Sequence, residues 1–298
     1  GLAVNGTVYD IKGNKVTAFS STYKGMGRFT FTPQKGQKYY VLTDFNGEDA
    51  KWTLPEAIET GIVMRVEHAP DYIRVSIFSN KPLTNDPTAN ELIVTGQVGG
   101  RMYFSRIARL VENKAQLDIP RLILPGGILQ ITIFSGRGIP LAERLAFSNA
   151  TGRMNIRISA SDSIGDDGKK IKLTVYSHTM RNEPLPANLS VSVTREFDGF
   201  PDYNNDNILS NILLNSDLTG YIEDPLDYFS IPRFETSIEL DNLLLTQGWR
   251  RFDWNSIIPG EYPKILYHEE KGITIAGKIT RDFFGIPIQN AKVRLSIM

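Results

Sequence analysis

The amino-acid sequence predicts a mostly β protein, made of immunoglobulin-like sandwiches in series with a short α-helical segment in the third. Apolar and polar residues alternate in short segments, which places every second side chain on one face of a strand, where it can be buried. Gly, Pro and Asn interrupt these segments at intervals of about 8–12 residues, a spacing typical of sandwiches and barrels. The chain has 298 residues, enough for about two to four domains of ordinary size.

The first predicted domain, residues 1–60, is a sandwich whose turns are marked by glycines. Gly13, Gly25 and Gly36 stand between segments that alternate apolar and polar residues. Strands are expected at residues 4–9, 15–19, 28–32 and 39–42.

The second predicted domain, residues 61–150, has the most regular pattern. About seven strands fit into about 90 residues, which is the size of one immunoglobulin-like sandwich. They are expected at residues 62–66, 73–78, 92–98, 101–105, 116–119, 128–134 and 141–147.

The third predicted domain, residues 151–265, begins with strands and then changes to helical spacing. Strands are expected at residues 154–158, 170–176 and 188–194. Apolar residues recur at helical spacing over residues 207–221, and either Asp206 or Asn207 is a candidate N-cap. The sequence therefore predicts a β-sandwich with an α-helical insert.

A second helix and the start of a fourth sandwich complete the predicted architecture. The helix is expected over residues 240–249, with Asp241 near its start and Gly248 near its end. The fourth sandwich, residues 266–298, has strands expected at residues 273–279 and 291–297. Two or three strands do not make a stable domain alone, so we expect this part to be truncated or completed by another chain.

Several stretches resemble known sandwich proteins. Residues 25–33 (GMGRFTFTP) resemble a hairpin of macroglobulin-like domains, those of the α2-macroglobulin superfamily. Residues 124–134 (LPGGILQITIF), with residues 138–144, look like the closing strands of the next such domain. Residues 211–221 (NILLNSDLTGY) and 245–251 (LTQGWRR) resemble large envelope proteins of Bacteroidetes.

In those envelope proteins, macroglobulin-like domains precede a carboxypeptidase-regulatory-like sandwich, often followed by the plug and barrel of a TonB-dependent receptor. Residues 272–295 are similar to the opening of that regulatory-like sandwich. The resemblance implies a periplasmic or outer-membrane-associated location, with a protein or the rest of the parent protein as partner. It also implies that the first domain lacks its N-terminal strands. The Cys-Gly-Glu-Gln thioester motif of some relatives is absent, so no covalent thioester target is expected.

Composition excludes several classes of function. Lys and Arg total 33 and Asp and Glu total 33, so the formal net charge is zero. Proteins that neutralise many phosphates carry a basic excess, and nucleic acid is therefore not an expected partner. The chain has no cysteine, which rules out a thiol nucleophile, a thiolate zinc site and a disulfide. No apolar run reaches the roughly 18–20 residues of a membrane-spanning helix.

No catalytic, cofactor or metal site is predicted, and the chain is not expected to be an enzyme. His68, His178 and His268 lack partners at the spacing of a zinc site or a general base, so surface or packing roles are expected. No Gly-x-Ser-x-Gly elbow is present. Glu143 and Asp118 are acidic, but the sequence does not place them relative to each other.

The segment DGFPDYNNDN carries oxygen-bearing side chains at alternate positions. Asp202, Asn204 and Asp206 alternate as the ligands of a calcium loop do. Asn207 stands where such a loop needs glycine, and Leu213 stands where it needs glutamate. Two interpretations stay open, a calcium ion near these residues or a solvated turn that caps the next helix, and the departures favour the turn.

An aromatic and basic cluster, Trp249, Arg250, Arg251 and Trp254, is the candidate binding surface. Indole rings and guanidinium groups suit a sugar or a protein partner. The same residues fit a structural role, in which the tryptophans pin a helix end onto a sandwich and the arginines pair with acids. The position at an element boundary favours the structural role.

These observations predict a non-catalytic structural or binding module of a bacterial cell-envelope protein, such as the periplasmic extension of a TonB-linked outer-membrane receptor. Two alternatives stay open. A macroglobulin-like protease-interaction module would expose a protease-sensitive loop. A carbohydrate-binding protein would present a concave aromatic patch.

Overall fold

The computed structural model describes residues 1–45, 48–81, 90–148, 154–160, 172–179, 181–191, 206–230, 238–248, 250–262, 264–265, 280–281, 286–287 and 292. The predicted fold class is confirmed, since antiparallel sheets predominate and a few short helices follow them. The chain divides into two compact units, residues 1–254 and residues 255–298.

The first sheet lies near the start of the chain and has four antiparallel strands. They are β1 (Asn5–Asp10), β2 (Lys15–Ser20), β3 (Tyr39–Phe45) and β4 (Glu48–Thr53), in the order β2-β1-β3-β4. Strands β1, β2 and β3 were expected from the alternation. Strand β4 was not, because its sequence, EDAKWT, has little apolar alternation. A small core of Val8, Tyr39 and Val41 lies on one face of this sheet.

The predicted strand at residues 28–32 is wrong, because residues 27–38 form no strand. Two of its aromatic side chains instead pack onto the first sheet. Phe29 stacks on Phe19 with ring centroids 5.0 Å apart, and Phe31 contacts Tyr39 edge to face at 5.1 Å. The alternation here reflects burial against a sheet rather than pairing within it.

The second group of strands forms a two-sheet sandwich, and all seven predicted strands are confirmed. The strands are β5 (Ile62–His68), β6 (Tyr72–Ser79), β7 (Glu91–Val98), β8 (Arg101–Arg109), β9 (Lys114–Pro120), β10 (Gly127–Ser135) and β11 (Pro140–Ser148). One sheet has the order β5-β6-β9, and the other has the order β11-β10-β7-β8. A single 3₁₀ turn, Arg121–Ile123, follows β9.

The sandwich core is aliphatic and comes from both sheets. Side chains of one sheet that are fully buried, Ile73, Val75 and Ile77, pack in one cluster with those of the other, including Leu129 and Ile131. Each such side chain contributes about 1.5–3 kcal/mol by leaving water. Alternate burial of this kind is what the period-two pattern predicts.

Strand β10 departs from that alternation, because eight of its nine residues are buried. Its inner side chains belong to the sandwich core, as Leu129 does. Its outer side chains, such as Ile128 and Thr132, are also buried. The outer face of the β11-β10-β7-β8 sheet is therefore covered by a further layer of the chain, which is helical.

A hairpin follows the sandwich, formed by β12 (Asn155–Ala160) and β13 (Leu173–His178). These two strands correspond to predictions, but the predicted strand at residues 188–194 is not seen in its described part, residues 188–191. Residues 192–194 lie outside the described residues. The four domain ranges, 1–60, 61–150, 151–265 and 266–298, stay predictions.

The helical segment, which comprises residues 206–230, 238–248 and 250–254, supplies the covering layer. Its helices are α1 (Ile208–Leu213), a 3₁₀ turn (Asn215–Asp217), α2 (Asp227–Ser230), α3 (Ile238–Thr246) and α4 (Trp254–Ile257), the last of which runs on past the segment. Asn207 caps α1, because its side chain accepts hydrogen bonds from the backbone N–H groups of Leu209 and Ser210. Gly248 lies beyond the end of α3.

The first predicted helix is shorter than expected. It was expected over residues 207–221 and ends at Leu213, because Leu214 leaves the helical conformation. The bend lets Leu214, Leu218 and Ile222 reach one apolar cluster on the outer face of the sandwich. That cluster comprises Ile128, Leu145, Phe147, Leu214, Leu218, Ile222, Tyr228, Leu240, Leu243 and Leu244, with Tyr23 and Met26 packed against it.

The second unit is described only in short pieces. Strands β14 (Thr280–Arg281) and β15 (Ile286–Pro287) pair antiparallel. The predicted strand at residues 273–279 lies outside the described residues, as does all of the strand at 291–297 except Lys292. In the described ranges of the whole chain, no helix is long and apolar enough to cross a membrane.

Candidate functional site

A row of polar side chains runs across the outer face of the β11-β10-β7-β8 sheet, beneath the helical segment. Thr95, Thr132 and Glu143 are aligned across β7, β10 and β11 by the strand register. Glu143 Oε2 accepts hydrogen bonds from Thr132 Oγ1 at 2.8 Å and from Gln130 Nε2 at 2.6 Å. Alternation brings these side chains to the face that the helices cover, so they need partners there.

Trp254 supplies one such partner. Its indole Nε1 donates to Glu143 Oε2 at 3.0 Å and lies 3.3 Å from Thr132 Oγ1. Its ring meets Phe134 and Phe252 edge to face, with centroids 5.0 Å and 4.9 Å away. Trp254 therefore anchors the helical segment to the sheet, and its N–H group is already engaged.

The two arginines of the cluster bind different carboxylates. Arg250 forms an ion pair through Nε with Glu143 Oε1, and its NH1 donates to the carbonyl of Gly248 at 2.6 Å. Arg251 pairs with Asp217, in the 3₁₀ turn after α1. These contacts fit the structural interpretation of the cluster. Trp249 lies outside the described residues, so the role of the whole cluster as a binding surface stays a prediction.

A second polar site is buried where α3 meets the sandwich and the segment after β2. Asp241 is 5% exposed, and its carboxylate oxygens both lie 2.8 Å from NH2 of Arg144. NH1 of Arg28 donates to Asp241 Oδ2 at 2.5 Å. NH1 of Arg144 also donates to the carbonyl of Val66 at 3.2 Å, which fixes the guanidinium against β5. One carboxylate thus joins three parts of the chain.

His68 completes this second site with a defined tautomer. A guanidinium group can only donate, so His68 Nδ1, 3.1 Å from NH2 of Arg121, accepts and carries no proton. The proton of the neutral ring is then on Nε2, which lies 3.6 Å from Asp241 Oδ1. Arg121 is held in turn by the carbonyl of Ala69, 2.8 Å from its Nε. The imidazole has a packing role within the site.

The charge state of Asp241 follows from these neighbours. Burial acts to raise the pKa of Asp241, but the contact with His68 and the charges of Arg144 and Arg28 outweigh it. The pKa of Asp241 therefore lies below its usual value, and the carboxylate is ionised at neutral pH. A buried charge of this kind is stable only with its cations in place.

A third ionic contact joins Lys24, after β2, to Asp224 and to Asp227 at the start of α2. Lys24 Nζ lies 2.8 Å from Asp224 Oδ2 and 2.9 Å from Asp227 Oδ2, and its side chain is 11% exposed. Burial acts to lower the pKa of Lys24, but the hydrogen bonds to both aspartates outweigh it and raise the pKa. Beside this contact, Tyr23 meets Tyr228 edge to face at 5.5 Å.

The candidate calcium loop is described only in part. Asp202 and Asn204 lie outside the described residues. Asp206 accepts from Ser210 Oγ and from Asn215 Nδ2, the latter at 2.9 Å, so it supports the capped start of α1. Among the described residues, no three His, Asp or Glu side chains are grouped as metal ligands are.

The two carboxylates singled out in the sequence lie on different sheets. Asp118, on β9, receives two 2.8 Å hydrogen bonds from Arg74, which hold the pKa of Asp118 below its usual value. Glu143, on β11, binds Arg250. Each carboxylate has its own arginine, and the two do not form an acid–base pair.

No protein-family model and no curated protein sequence matches this chain. The resemblance to macroglobulin-like envelope proteins therefore depends on the motifs quoted above. The buried site around Asp241 was not predicted as a site, because an aspartate in the first turn of a helix is normally a solvated residue near the positive end of the dipole. Its partners Arg28 and Arg144 stand 213 and 97 residues away along the chain.

Proposed function

We propose that this chain is a non-catalytic structural and binding module of a bacterial cell-envelope protein, forming the periplasmic extension of a TonB-linked outer-membrane receptor. The observation that carries the proposal is the buried Asp241 carboxylate. It is held by Arg28, in the segment between β2 and β3 of the first sheet, and by Arg144 of the sandwich. The charged residues of this region join two modules, the first sheet and the sandwich, and an extension made of linked modules requires such joints.

The helical segment contacts both the first module (the first sheet with the segment between β2 and β3) and the sandwich. We call this joint, formed by α3 with Arg28 and Arg144, the clamp. The apolar side of the helical segment covers the outer face of the sandwich through Leu240, Leu243 and Leu244. The same apolar cluster is contacted by Tyr23 and Met26, which lie between β2 and β3 of the first sheet. Domains joined by small polar interfaces usually move relative to each other, whereas a shared apolar cluster restrains them. A restrained pair of modules can hold a binding surface at a fixed distance from a membrane receptor.

The polar groups of the described sites support a non-catalytic role. Glu143 binds three donors and one arginine, and Asp118 is bound by Arg74. A general acid or base needs a proton that is available to a substrate at hydrogen-bond distance. Asp118 and Glu143 are each bound by an arginine and lie on separate sheets, which supports a structural role for both carboxylates.

Because the chain has no cysteine, spin labels attach only at cysteines that are introduced, so the distance between the first sheet and the sandwich can be measured. Lys15→Cys on β2 and Arg106→Cys on β8 place one spin label on each module at exposed positions. Pulsed electron paramagnetic resonance is expected to give one narrow distance distribution, which broadens when Asp241→Ala is added. Asp118→Ala is the matched control and should leave the distribution narrow. A broad distribution in the labelled parent would reject the clamp.

Location is tested in cells that carry the natural gene. An antibody against this chain should find the signal in the periplasmic or outer-membrane fraction. Cross-linking in intact cells is expected to capture a β-barrel receptor, or to show that both are parts of one polypeptide. Signal confined to the cytosolic fraction would reject the envelope assignment and leave the clamp intact.

A further inference from the structure

Strand β8 forms an edge of the β11-β10-β7-β8 sheet. It pairs with β7, and among the described residues no strand lies on its other side. The edges of natural sheets are usually short, charged, covered or blocked by proline, because their unpaired backbone groups can bind another chain. Strand β8 has nine residues, against a mean of about 5–6 for strands, and contains no proline. Charge is its remaining protection, and charge decides which strands can pair there.

The ladder between β7 and β8 fixes which backbone groups point outward. Hydrogen-bonded and non-hydrogen-bonded pairs alternate along an antiparallel ladder. The N–H of Leu110 donates to the carbonyl of Asn90 at 3.0 Å, so this pair is hydrogen-bonded. Counting back along the register, Ser105 and Ile107 belong to non-hydrogen-bonded pairs. Their N–H and C=O groups therefore point away from β7, where a further strand would bind them.

The outer face of the sheet carries an apolar row that runs out to this edge. The strand register aligns Phe134, Ile93 and Ile107 across β10, β7 and β8. Phe134 is 8% exposed and lies against Trp254, whereas Ile107 is 64% exposed. Met102, on the same face of β8, is also exposed. A strand added beside β8 would continue the row and remove Ile107 from water if it offered apolar side chains there.

The other face of β8, on the side of the sandwich core, carries positive charge at the edge. Arg101 and Arg106 lie on this face and are exposed. A third arginine, Arg109, is paired with Glu91, but neither of the other two has an ion pair within the described ranges. Arg101 lies over the ring of Tyr103, a contact that leaves its charge in place. The strand itself contains no acidic residue.

These two faces select the strand that can pair with β8. Side chains of an extended segment alternate between the faces of a sheet, so every second one meets the arginines and the others meet Met102 and Ile107. Opposite charges across neighbouring strands stabilise a pair, and like charges destabilise it. A second copy of β8, paired antiparallel and centred on Ser105, would set Arg101 opposite Arg109. The edge therefore disfavours its own copy and favours acidic residues that alternate with apolar ones.

We propose that β8 binds an extended segment of a partner protein in which acidic and apolar residues alternate, and that this segment becomes a fifth strand of the sheet. Backbone hydrogen bonds supply affinity in this mode of recognition, and alternate side chains supply specificity. The proposal rests on the binding role in the proposed function and names the partner's chemistry. It depends neither on the clamp nor on the cellular location.

Nuclear magnetic resonance of the full ¹⁵N-labelled chain tests the proposal with a synthetic peptide of four Glu-Val repeats. Titration through the millimolar range should shift the backbone amides of Ser105 and Ile107 in a saturable way. A peptide of four Lys-Val repeats has the same alternation and the opposite charge. A peptide of four glutamates followed by four valines has the same composition without the alternation. Both should bind at least about tenfold more weakly.

Two variants of the chain separate backbone pairing from charge. Ser105→Pro removes an outward N–H without removing a bond to β7, a position where edge strands tolerate proline, and should abolish the saturable shift of Ile107. Arg106→Glu leaves the backbone unchanged. It should weaken binding of the Glu-Val peptide about tenfold and strengthen binding of the Lys-Val peptide. Arg65→Glu, at a side chain that is 67% exposed on β5, is the matched control and should change neither.

Several outcomes would overturn the proposal. They are the absence of saturable shifts in the parent, equal binding of either control peptide, and Glu-Val binding that is unchanged in Ser105→Pro or Arg106→Glu. A dimer seen by sedimentation that dissociates in Ser105→Pro would make a second copy the occupant and would also overturn it. None of these results alters the spin-label distances or the cell fraction, so the proposed function is tested separately.

Discussion

Nitrogen NH2 of Arg144 lies 2.8 Å from both carboxylate oxygens of Asp241, inside the contact between α3 and the sandwich. The aspartate is 6% exposed and the arginine 12% exposed in their side chains, so water does not screen this pair. Arg28 adds a second cation from the segment between β2 and β3 of the first sheet. Asp241 therefore joins α3, the sandwich and the first module, and we expect its loss to destabilise the contacts among all three.

Asp241→Asn is expected to destabilise the protein by about 3 kcal/mol, because it leaves Arg144 buried without its carboxylate. The value lies at the lower end of the range for buried pairs, since Arg28 is 44% exposed and can turn to water. Urea unfolding followed by circular dichroism measures the loss. Asp118→Asn, which breaks an exposed pair with Arg74, is the control and should cost much less. Equal losses would contradict the clamp.

The pH dependence of stability provides an independent check on Asp241. Its pKa is lowered in the folded state, so its contribution is complete above the unfolded value of about 3.9 and is lost as the pH falls through the lower folded value. The difference in unfolding free energy between the parent and Asp241→Asn should therefore be constant near neutral pH and shrink below about pH 4. Other carboxylates cancel in this difference. Urea unfolding at a series of pH values checks it, and a difference that stays constant down to pH 2 would contradict the lowered pKa.

Sequence patterns predicted the sandwich well and the helical layer poorly, for physical reasons. The seven strands of the sandwich alternate because one face of each enters a core. Strand β10 is buried on both faces, and its outer residues Gln130 and Thr132 look solvated in the sequence because they are polar. Thr132 is contacted there by Trp254, 122 residues away. No local pattern records that contact.

The same limit explains the candidate site. The sequence predicts that Arg250 and Trp254 belong to one cluster. Glu143 brings them together by binding both, and this contact forms only because β11 lies beside the helical segment. The predicted strand at residues 28–32 failed for a related reason. Its alternation marks two phenylalanines that pack, partly buried, against a sheet, and alternation alone does not distinguish such packing from strand pairing.

Trp254→Phe is expected to lower stability by about 1.5–3 kcal/mol. Phenylalanine keeps the contact with Phe134 but removes the N–H group that donates to Glu143, and a hydrogen bond to a charged group contributes that amount. Urea unfolding measures the change. Trp52→Phe is the matched control, since Trp52 is 62% exposed and should cost little. If both variants lose the same stability, Trp254 does not anchor the segment.

Leu244→Ala tests the apolar side of the clamp. Leu244 is 1% exposed within the cluster between helix and sandwich, so its truncation leaves a cavity and should cost about 2–5 kcal/mol. Hydrogen exchange read by mass spectrometry should show faster exchange over residues 238–246 than over β6, whose core is a separate cluster. Leu122→Ala, at a position that is 84% exposed, is the control. A uniform increase over the whole chain would mean that the helical layer does not unfold as a separate element.

Lys24→Met tests the contact that joins the start of the chain to α2. Methionine keeps the apolar stem but removes the charge bound by Asp224 and Asp227, and the loss should be modest because both aspartates are partly exposed. We expect faster hydrogen exchange over residues 224–230 and little change in the sandwich, with Lys12→Met as the exposed control. Because the pKa of Lys24 is raised, its contribution is complete below the unfolded value of about 10.4 and is lost only as the pH rises through the higher folded value. An exchange difference that disappears between pH 8 and pH 9, well below that point, would mean that the ammonium group is not what orders this segment.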